Sequence, residues 1–251
     1  MRLDKYLSEK FGSRNKAVAA IERGSVKVNG KVQPPSYAVK DGDDVQIAEE
    51  QTTFVSAGGY KLYKALNDFD FSADGKVFAD IGASTGGFTD CLLKSGAKKV
   101  YCIDVGESQL DKSLLDKEVV VIDNFNARNL NKNLFAETLD GITIDVSFIS
   151  LTYLLDAVSE VLCDGKHVLA LIKPQFECES RNVGKNGIVR GADKHRRIIE
   201  KIYDFSVKCN LAPVNLTTAP IVKGKNTEYV ILLEKGGRAV DFSKLIKNAA
   251  L

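Results

Sequence analysis

The sequence predicts an α/β protein in which a parallel sheet, covered by helices on both faces, follows a small α+β domain. Short apolar runs recur six times after residue 75, and helix-length segments separate the first five, as in βαβ units. A basic composition before residue 40 gives way to a slightly acidic one, which predicts the separate domain in front. The six runs are KVFADIG, KVYCIDVG, VVVIDNF, GITIDVSFI, HVLALIKP and EYVILLE.

The first segment predicts two helices followed by a hairpin. Leu3, Tyr6 and Leu7 share one helical face, and Ser13 can cap a second helix. The stretch VKVNG at 26–30 alternates apolar and polar residues up to Asn-Gly, which favours a two-residue hairpin turn. We therefore expect a small domain over residues 1–48, a polar linker over 49–55 and the large domain over 56–251.

The charge of the first 40 residues indicates an anionic partner. They contain nine Lys and Arg residues against three Asp and Glu residues, although the whole chain carries a net charge of only +2. Phosphate contacts dominate nucleic-acid binding, so RNA or DNA is the obvious candidate. On charge alone, a solvated basic surface explains the pattern equally well.

The cysteine pattern and the hydropathy of the chain argue against a disulfide-bonded protein and against a membrane-spanning one. None of the five cysteines forms a C-x-x-C pair, and Cys91, Cys102 and Cys163 lie in or beside apolar runs. We expect buried reduced thiols, no metal site and a cytoplasmic protein. No apolar stretch approaches the ~20 residues of a membrane-spanning helix, and the charged N-terminus does not resemble a signal peptide.

The segment from Asp80 to Phe88, DIGASTGGF, joins a strand to a helix and carries three glycines. Glycine lets the backbone turn tightly and approach a ligand closely. The middle glycine of a dinucleotide motif, which makes room for a pyrophosphate, is replaced by Ser84. The pattern resembles the first motif of methyltransferases that use S-adenosylmethionine, a cofactor without pyrophosphate. A plain strand-to-helix turn is the alternative.

Two later strand ends extend the candidate cofactor site. Asp104 can accept hydrogen bonds from both ribose hydroxyls, and Asn126 is placed to meet the adenine edge. Asp80 could instead serve as a helix cap. The candidate cofactor-binding residues are Asp80, Gly82, Ser84, Gly86, Gly87, Phe88, Asp104 and Asn126.

A second candidate set is spread along the chain: Lys61, Asp145, Lys173 and Glu228. Asp145 and Lys173 end the fourth and fifth strands, where ligands bind in open α/β sheets. The apolar run before Lys173 should desolvate its amine, and a partly neutral lysine is a suitable base for a ribose hydroxyl. A surface salt-bridge cluster is the alternative.

The residues around these positions resemble a known family. SAGGYKL, IDVSFISL, LIKPQFE and KGKNTEYVILL are similar to the Lys-Asp-Lys-Glu catalytic motifs of FtsJ/RrmJ-like ribose methyltransferases. The N-terminal RLDKYLSEKFGSRNKAVAAIERGSVKVNGK resembles an S4 RNA-binding domain. Together they resemble the TlyA family, also labelled hemolysin A.

The resemblance implies a Rossmann-like, seven-stranded methyltransferase sheet that uses S-adenosyl-L-methionine. It also implies methylation of cytidine 2′-hydroxyls in ribosomal RNA, with ribosomal RNA or subunits as the partner. Ala57 and Glu107 stand where the family usually has an arginine and an aromatic residue. The S4-like segment offers these residues to phosphates: Arg2, Lys5, Ser13, Arg14, Lys16 and Lys27.

A second basic stretch, residues 181–201, follows Lys173 and carries seven Lys and Arg residues against two acids. We expect a loop that closes over the substrate, with a solvated loop as the alternative.

Other functions have weaker support in the sequence. A base methyltransferase would carry a motif such as Asn-Pro-Pro-Tyr after the fourth strand, where this chain has Asp-Val-Ser-Phe. A cytosine C5 enzyme would need a cysteine at a strand end. A non-catalytic RNA-binding module and a membrane-active hemolysin remain the alternatives of other classes.

Overall fold

The computed structural model divides the chain into two compact units, 1–53 and 54–251. It describes residues 1–8, 10, 13, 14, 17, 18, 21, 26–40, 42–47, 53–179, 183–222 and 224–249. The division lies inside the predicted linker, of which residues 49–52 are outside the described residues.

The N-terminal unit contains a short helix and a three-stranded antiparallel sheet. Helix α1 is Leu3–Tyr6, and the strands are β1 (Val26–Val28), β2 (Lys31–Val32) and β3 (Val45–Ile47), in the order β2-β1-β3. The predicted hairpin turn is confirmed, since Asn29 and Gly30 have φ angles of 53° and 75°, as a type I′ turn requires.

Side chains from both predicted helices and from β1 form a core of their own. The buried residues are Leu3, Leu7, Ala17, Ile21, Val26 and Val28. Tyr6 was predicted to lie on this buried face, but it is 51% exposed. Part of the predicted second helix, including Ala20, and its predicted end at Gly24 lie outside the described residues.

The C-terminal unit is built on a seven-stranded sheet, as the family resemblance implies. Its order is β6-β5-β4-β7-β8-β10-β9, with β10 antiparallel to both of its neighbours and the other pairs parallel. The strands are β4 (Val77–Ile81), β5 (Lys99–Ile103), β6 (Val119–Ile122), β7 (Gly141–Ile144), β8 (His167–Ile172), β9 (Leu211–Thr218) and β10 (Tyr229–Lys235).

Helices cover the sheet, although not after every strand. They are α2 (Ala57–Asp68), α3 (Gly87–Lys94), α4 (Lys112–Leu115), α5 (Leu155–Val161), α6 (Pro174–Glu177), α7 (Ala192–Lys208) and α8 (Phe242–Leu245). Two 3-10 turns, Ala127–Asn129 and Lys132–Leu134, replace the helix expected between β6 and β7. Asn126 and Asn131 cap these turns by accepting backbone N–H groups, so each turn is locally complete.

Alternate residues of the central strands pack into two apolar layers. Val77, Ala79 and Ile81 belong to the layer on one face of the sheet, while Phe78 belongs to the other. Strand β8 divides in the same way, with Leu169 and Leu171 on the Phe78 side. Burial on both faces explains why these runs are apolar throughout.

Two predictions about loops and thiols were wrong. The basic stretch was expected to be a loop, but its residues 192–201 lie in the 17-residue helix α7. Its apolar face is buried at Ile198, Ile199 and Ile202, which is a helical spacing. Cys163 was expected to be buried and is exposed, whereas Cys91 and Cys102 are buried free thiols as predicted.

Candidate active site

The carboxyl ends of the parallel strands β4, β5 and β7 surround a cavity of about 420 Å³. Four of its lining residues were predicted as cofactor-binding: Gly82, Ser84, Asp104 and Asn126. Asp145, from the candidate catalytic set, lines it as well. The cavity therefore lies where open α/β sheets bind ligands.

Gly82 is the residue at which the backbone leaves β4. Its φ of 78° is in the left-handed region, and a Cβ at this position would lie 2.7 Å from the carbonyl oxygen of Asp145. Only glycine combines this φ with so close an approach of two backbones. The absence of a side chain leaves open the space between the ends of β4 and β7.

The carboxylate of Asp104 organises the turns on either side of the cavity. Its Oδ2 accepts the N–H of Ser84 at 2.8 Å, and its Oδ1 accepts the N–H of Gly106 at 2.8 Å. A carboxylate oxygen has two lone pairs, so each oxygen retains acceptor capacity toward a ligand. This geometry suits the predicted contact with ribose hydroxyls.

The remaining cavity positions add polar groups and an aromatic wall. The Ser84 hydroxyl donates to Oε1 of Gln109 at 3.1 Å, and the Asn126 Oδ1 accepts the N–H of Arg128 at 3.1 Å. Phe125 and Phe148 also line the cavity. Gln109 and the two phenylalanines were missed, although Phe125 ends the run VVVIDNF and Phe148 stands in IDVSFISL.

Gly86, Gly87 and Phe88 are not among the residues that line the cavity, and their contact with a cofactor stays a prediction. Gly86 has a φ of 90° and begins α3, and a Cβ there would meet Leu110 and Leu114. Phe88 is 2% exposed and belongs to the apolar layer beneath the loop. Gly86 and Phe88 therefore support the loop between β4 and α3 through packing contacts beneath it.

The position of Asp80 favours a structural role over the predicted contact with a cofactor. Its side chain is fully buried, and it accepts hydrogen bonds from the hydroxyls of Thr89 at 2.7 Å and Thr143 at 2.9 Å. Burial raises the pKa of Asp80 to about 6. The carboxylate joins β4 to α3 and β7 below the cavity.

This burial predicts a pH dependence of stability. A folded-state pKa near 6, above the unfolded 3.8, means that the folded state binds the proton more tightly, so stability falls as pH rises from about 4 to 6. Over the full range this change is worth about 3 kcal/mol, and about 2 kcal/mol of it falls between pH 4.5 and 7. We expect Asp80→Asn to lack it, as measured by denaturant unfolding of both proteins at pH 4.5 and 7. Parallel stability curves would contradict the assignment.

The side chain of Lys173 lies among polar groups from the end of β7. Its Nζ is 2.6 Å from Oδ1 of Asp145 and donates to the hydroxyl of Ser147 at 2.9 Å. The Lys173 side chain is 11% exposed and the Asp145 side chain 19%. The lysine is therefore held by two partners and largely shielded from water. Ser147 was missed, although it stands in the IDVSF stretch.

Lys61 and Glu228 form a second pair, with Nζ and Oε2 2.6 Å apart. Tyr229 is paired with Ile172 in the β10–β8 ladder, so the preceding Glu228 lies next to Lys173. A Cβ on Gly58, one helical turn before Lys61, would be 3.4 Å from Oδ2 of Asp145. The structure thus brings the four predicted residues together as two pairs, and their catalytic roles stay predictions.

Two of the N-terminal residues that were predicted to contact phosphates also form ion pairs within the protein. Arg2 and Arg14 both donate to the carboxylate of Asp4, at 3.0 and 2.8 Å, and hydrogen bonding to Arg2 is the main cause that lowers the pKa of Asp4. Their side chains remain 52% and 58% exposed. Lys5 and Lys27 are exposed, Ser13 is half-buried, and the Lys16 prediction lies outside the described residues.

In the described part of the chain, no helix is long and apolar enough to cross a bilayer. No group of three or more His, Cys, Asp or Glu residues there could hold a metal ion.

Comparison with known proteins gives consistent matches for both units. Residues 54–235 match the FtsJ-like methyltransferase family, and residues 1–45 match the S4 domain. "Hemolysin A" of Brachyspira hyodysenteriae is 43% identical over 92% of this chain and 98% of its own length. The "16S/23S rRNA (cytidine-2'-O)-methyltransferase TlyA" of Mycobacterium tuberculosis is 33% identical over 88% of this chain and 84% of its own.

A solved structure of a candidate hemolysin from Streptococcus thermophilus is also similar. It has a TM-score of 0.73 and 35% sequence identity, and the match covers 98% of this chain and 94% of that one.

Proposed function

Because the chain belongs to the FtsJ-like methyltransferase family, we propose that it methylates the ribose 2′-hydroxyl of cytidine in ribosomal RNA, with S-adenosyl-L-methionine as the donor. The observation that carries this proposal is the pair of lysine–carboxylate contacts beside the cavity, Lys173–Asp145 and Lys61–Glu228. An aliphatic hydroxyl is a poor nucleophile, and a positioned amine can remove its proton.

Lys173 is the proposed base. Asp145 and Ser147 fix its Nζ at the end of β8, beside the cavity that Asp145 and Ser147 themselves line. A substrate hydroxyl that enters beside the cavity would meet the amine in one orientation. Such positioning removes much of the entropic cost of the reaction.

Lys61 is proposed to orient the same hydroxyl. Its contact with Glu228 keeps the ammonium in place, since the carboxylate is only 16% exposed and compensates the charge. A fixed ammonium can donate to the ribose oxygen and stabilise negative charge as it develops.

The residues around the cavity fit S-adenosyl-L-methionine. A Cβ at Gly82 would fill the close approach to Asp145, and the Asp104 oxygens retain acceptor capacity for two hydroxyls. Gly82, Ser84, Asp104 and Asn126 would hold the cofactor. When bound, this cofactor supplies a methyl group on a positively charged sulfur, which is a reactive electrophile. The protein must then align the acceptor and take up its proton.

The choice of ribosomal RNA is supported by the S4 domain and by the TlyA relative named for this reaction. A ribosomal substrate also places the proposed activity in the cytoplasm. The alternative of a non-catalytic binding module does not account for the methyltransferase domain or for the two partly buried ion pairs. The hemolysin label of some relatives gains no support from the active-site geometry.

The test is methyl transfer from labelled cofactor to ribosomal RNA, followed by alkaline hydrolysis. A 2′-O-methyl group blocks cleavage of the adjoining phosphodiester, so the label should appear in alkali-resistant dinucleotides with cytidine on the 5′ side. Mapping of ribosomal RNA from cells with and without the protein would identify the nucleotide. Label in alkali-released mononucleotides would indicate base methylation and overturn the proposal.

We expect removal of residues 1–53 to separate RNA binding from cofactor binding. The N-terminal unit has its own core, and its exposed cations can contact phosphates, so the shortened protein should bind ribosomal RNA more weakly and with a smaller salt dependence. Filter binding at several salt concentrations measures this. Calorimetry should show unchanged affinity for the cofactor. An unchanged salt slope would contradict an RNA-binding role.

A further inference from the structure

A second cavity, of about 470 Å³, lies between the segment that precedes α7 and the segment that precedes β10. The described residues that line it are Ile188, Val189, Arg190, Gly191, Ala192, His195, Gly224, Lys225, Thr227 and Tyr229. Two of them, Arg190 and Lys225, are exposed cations from different parts of the chain. None belongs to the proposed cofactor or catalytic residues.

The charge of these two cations is not compensated within the described residues. Neither Arg190 nor Lys225 makes an ion pair with a described Asp or Glu, whereas the nearby Lys201 lies 3.6 Å from Glu177 and the catalytic lysines are both paired. Two uncompensated cations at one cavity form a site of positive potential. Such a site attracts an anion.

The side chain of Asn226 joins the two segments that line the cavity. Its Oδ1 accepts the N–H of Val189 at 2.8 Å, and its Nδ2 donates to the carbonyl of Gly187 at 2.8 Å. Both ends of one amide are therefore used to join the segment that carries Arg190 to the segment that carries Lys225. The two cations are held at one cavity by this junction.

The floor of the cavity is a buried pair, His195 and Tyr229. The carbonyl of Val189, 3.0 Å from Nε2 of His195, can only accept, so Nε2 carries the hydrogen. The tyrosine hydroxyl then donates to Nδ1 at 2.9 Å, and burial raises the pKa of Tyr229 to about 12, which keeps that hydroxyl protonated. Each hydrogen bond has a single consistent direction, so the floor is rigid.

The second cavity is adjacent to the proposed catalytic residues. Thr227 and Tyr229 line it, while the intervening Glu228 contacts Lys61. The cavity and the Lys61 pair therefore use consecutive residues at the start of β10, next to the end of β8 that carries Lys173. An RNA chain whose ribose meets Lys61 and Lys173 would present a neighbouring phosphate to this cavity.

We propose that the cavity lined by Arg190 and Lys225 binds a phosphodiester of the RNA strand next to the methylated nucleotide. The inference rests on the proposed function, since it requires an RNA substrate at the catalytic pairs. Through this contact the methyltransferase unit itself would position the RNA strand. Arg190 would contact two phosphate oxygens and Lys225 would add a point charge.

The test compares two double variants of the full-length protein. Arg190→Gln with Lys225→Gln removes both cations of the cavity. Lys208→Gln with Lys247→Gln is the matched control, since it removes two exposed charges elsewhere on the same unit. Ribosomal RNA affinity at several salt concentrations, kcat, the KM for RNA, cofactor affinity and thermal unfolding are measured for all three proteins.

We expect the cavity variant to raise the Kd and KM for RNA about tenfold and to lower the salt slope by about one relative to wild type. Its kcat, cofactor affinity and unfolding temperature should match those of the control. Equal losses of RNA affinity in both variants would show that only the total charge of the unit matters, and this result would overturn the proposed site. A fall in kcat with unchanged KM would also overturn it. If wild type binds RNA but transfers no methyl group, the proposed function fails, and the Kd comparison still decides whether the cavity binds RNA.

Discussion

Replacing Lys173 with alanine is expected to lower kcat for methyl transfer by about 10²–10⁴ while leaving the affinities for cofactor and RNA nearly intact. The amine is held at 2.6 Å from Asp145 and 2.9 Å from Ser147, beside the cavity and apart from the Asp104 region. Its loss removes a proton acceptor without changing the walls of the cavity. Single-turnover kinetics with saturating cofactor and RNA measure the effect directly.

Two further variants distinguish a base from a positive charge. Lys173→Arg keeps the charge but cannot deprotonate, so it should fail as severely as alanine. Lys166→Ala is the matched control, because Lys166 makes an ion pair of the same 2.6 Å length with Asp140 at the opposite end of β8. The control should retain full turnover. Near-wild-type turnover by Lys173→Arg would show that Lys173 only positions or stabilises charge.

The second large effect is expected from Gly82→Ala, which should weaken cofactor binding by about ten- to a hundredfold. The added Cβ would lie 2.7 Å from the carbonyl oxygen of Asp145, a backbone atom that cannot rotate away. Relief of such overlap typically costs about 1–3 kcal/mol, which corresponds to this range of affinity. Isothermal titration calorimetry gives the affinity, and thermal unfolding shows whether the fold persists.

Gly165→Ala is the matched control for this variant. Gly165 has a φ of 76°, close to the 78° of Gly82, but a Cβ there meets nothing within 4 Å. The control therefore bears the conformational cost of alanine in the left-handed region without the overlap. If both variants bind the cofactor equally well, the close approach at Gly82 does not shape the cofactor site.

The strands were accessible from the sequence because local pattern determines them, whereas the catalytic set was found through the resemblance of its motifs to a known family. Apolar runs of strand length predicted β4 to β8, and β10, and they placed Asp145 and Lys173 at the ends of two of these strands. The turn at Asn29 and Gly30 follows from the same local chemistry. In each case, a few neighbouring residues determine the outcome.

Other features depend on tertiary contacts that no local pattern reveals. The burial of Asp80 requires the hydroxyls of Thr89 and Thr143, and Thr143 lies 63 residues away. The orientation of Phe88 into the apolar layer depends on how α3 packs. A basic composition suggested a loop over 181–201, but three buried isoleucines make most of its second half a packed helix.

The position of β10 in the sheet affects when the enzyme can become active during synthesis. β10 lies between β8 and β9, although it follows both in the chain, and Glu228 stands at its start. A nascent chain that ends before Glu228 thus lacks β10, so β9 has no neighbour in the sheet and Lys61 has no partner. Long-range pairing of this kind forms late in folding. Methyl transfer is therefore expected only from a chain in which β10 has joined the sheet.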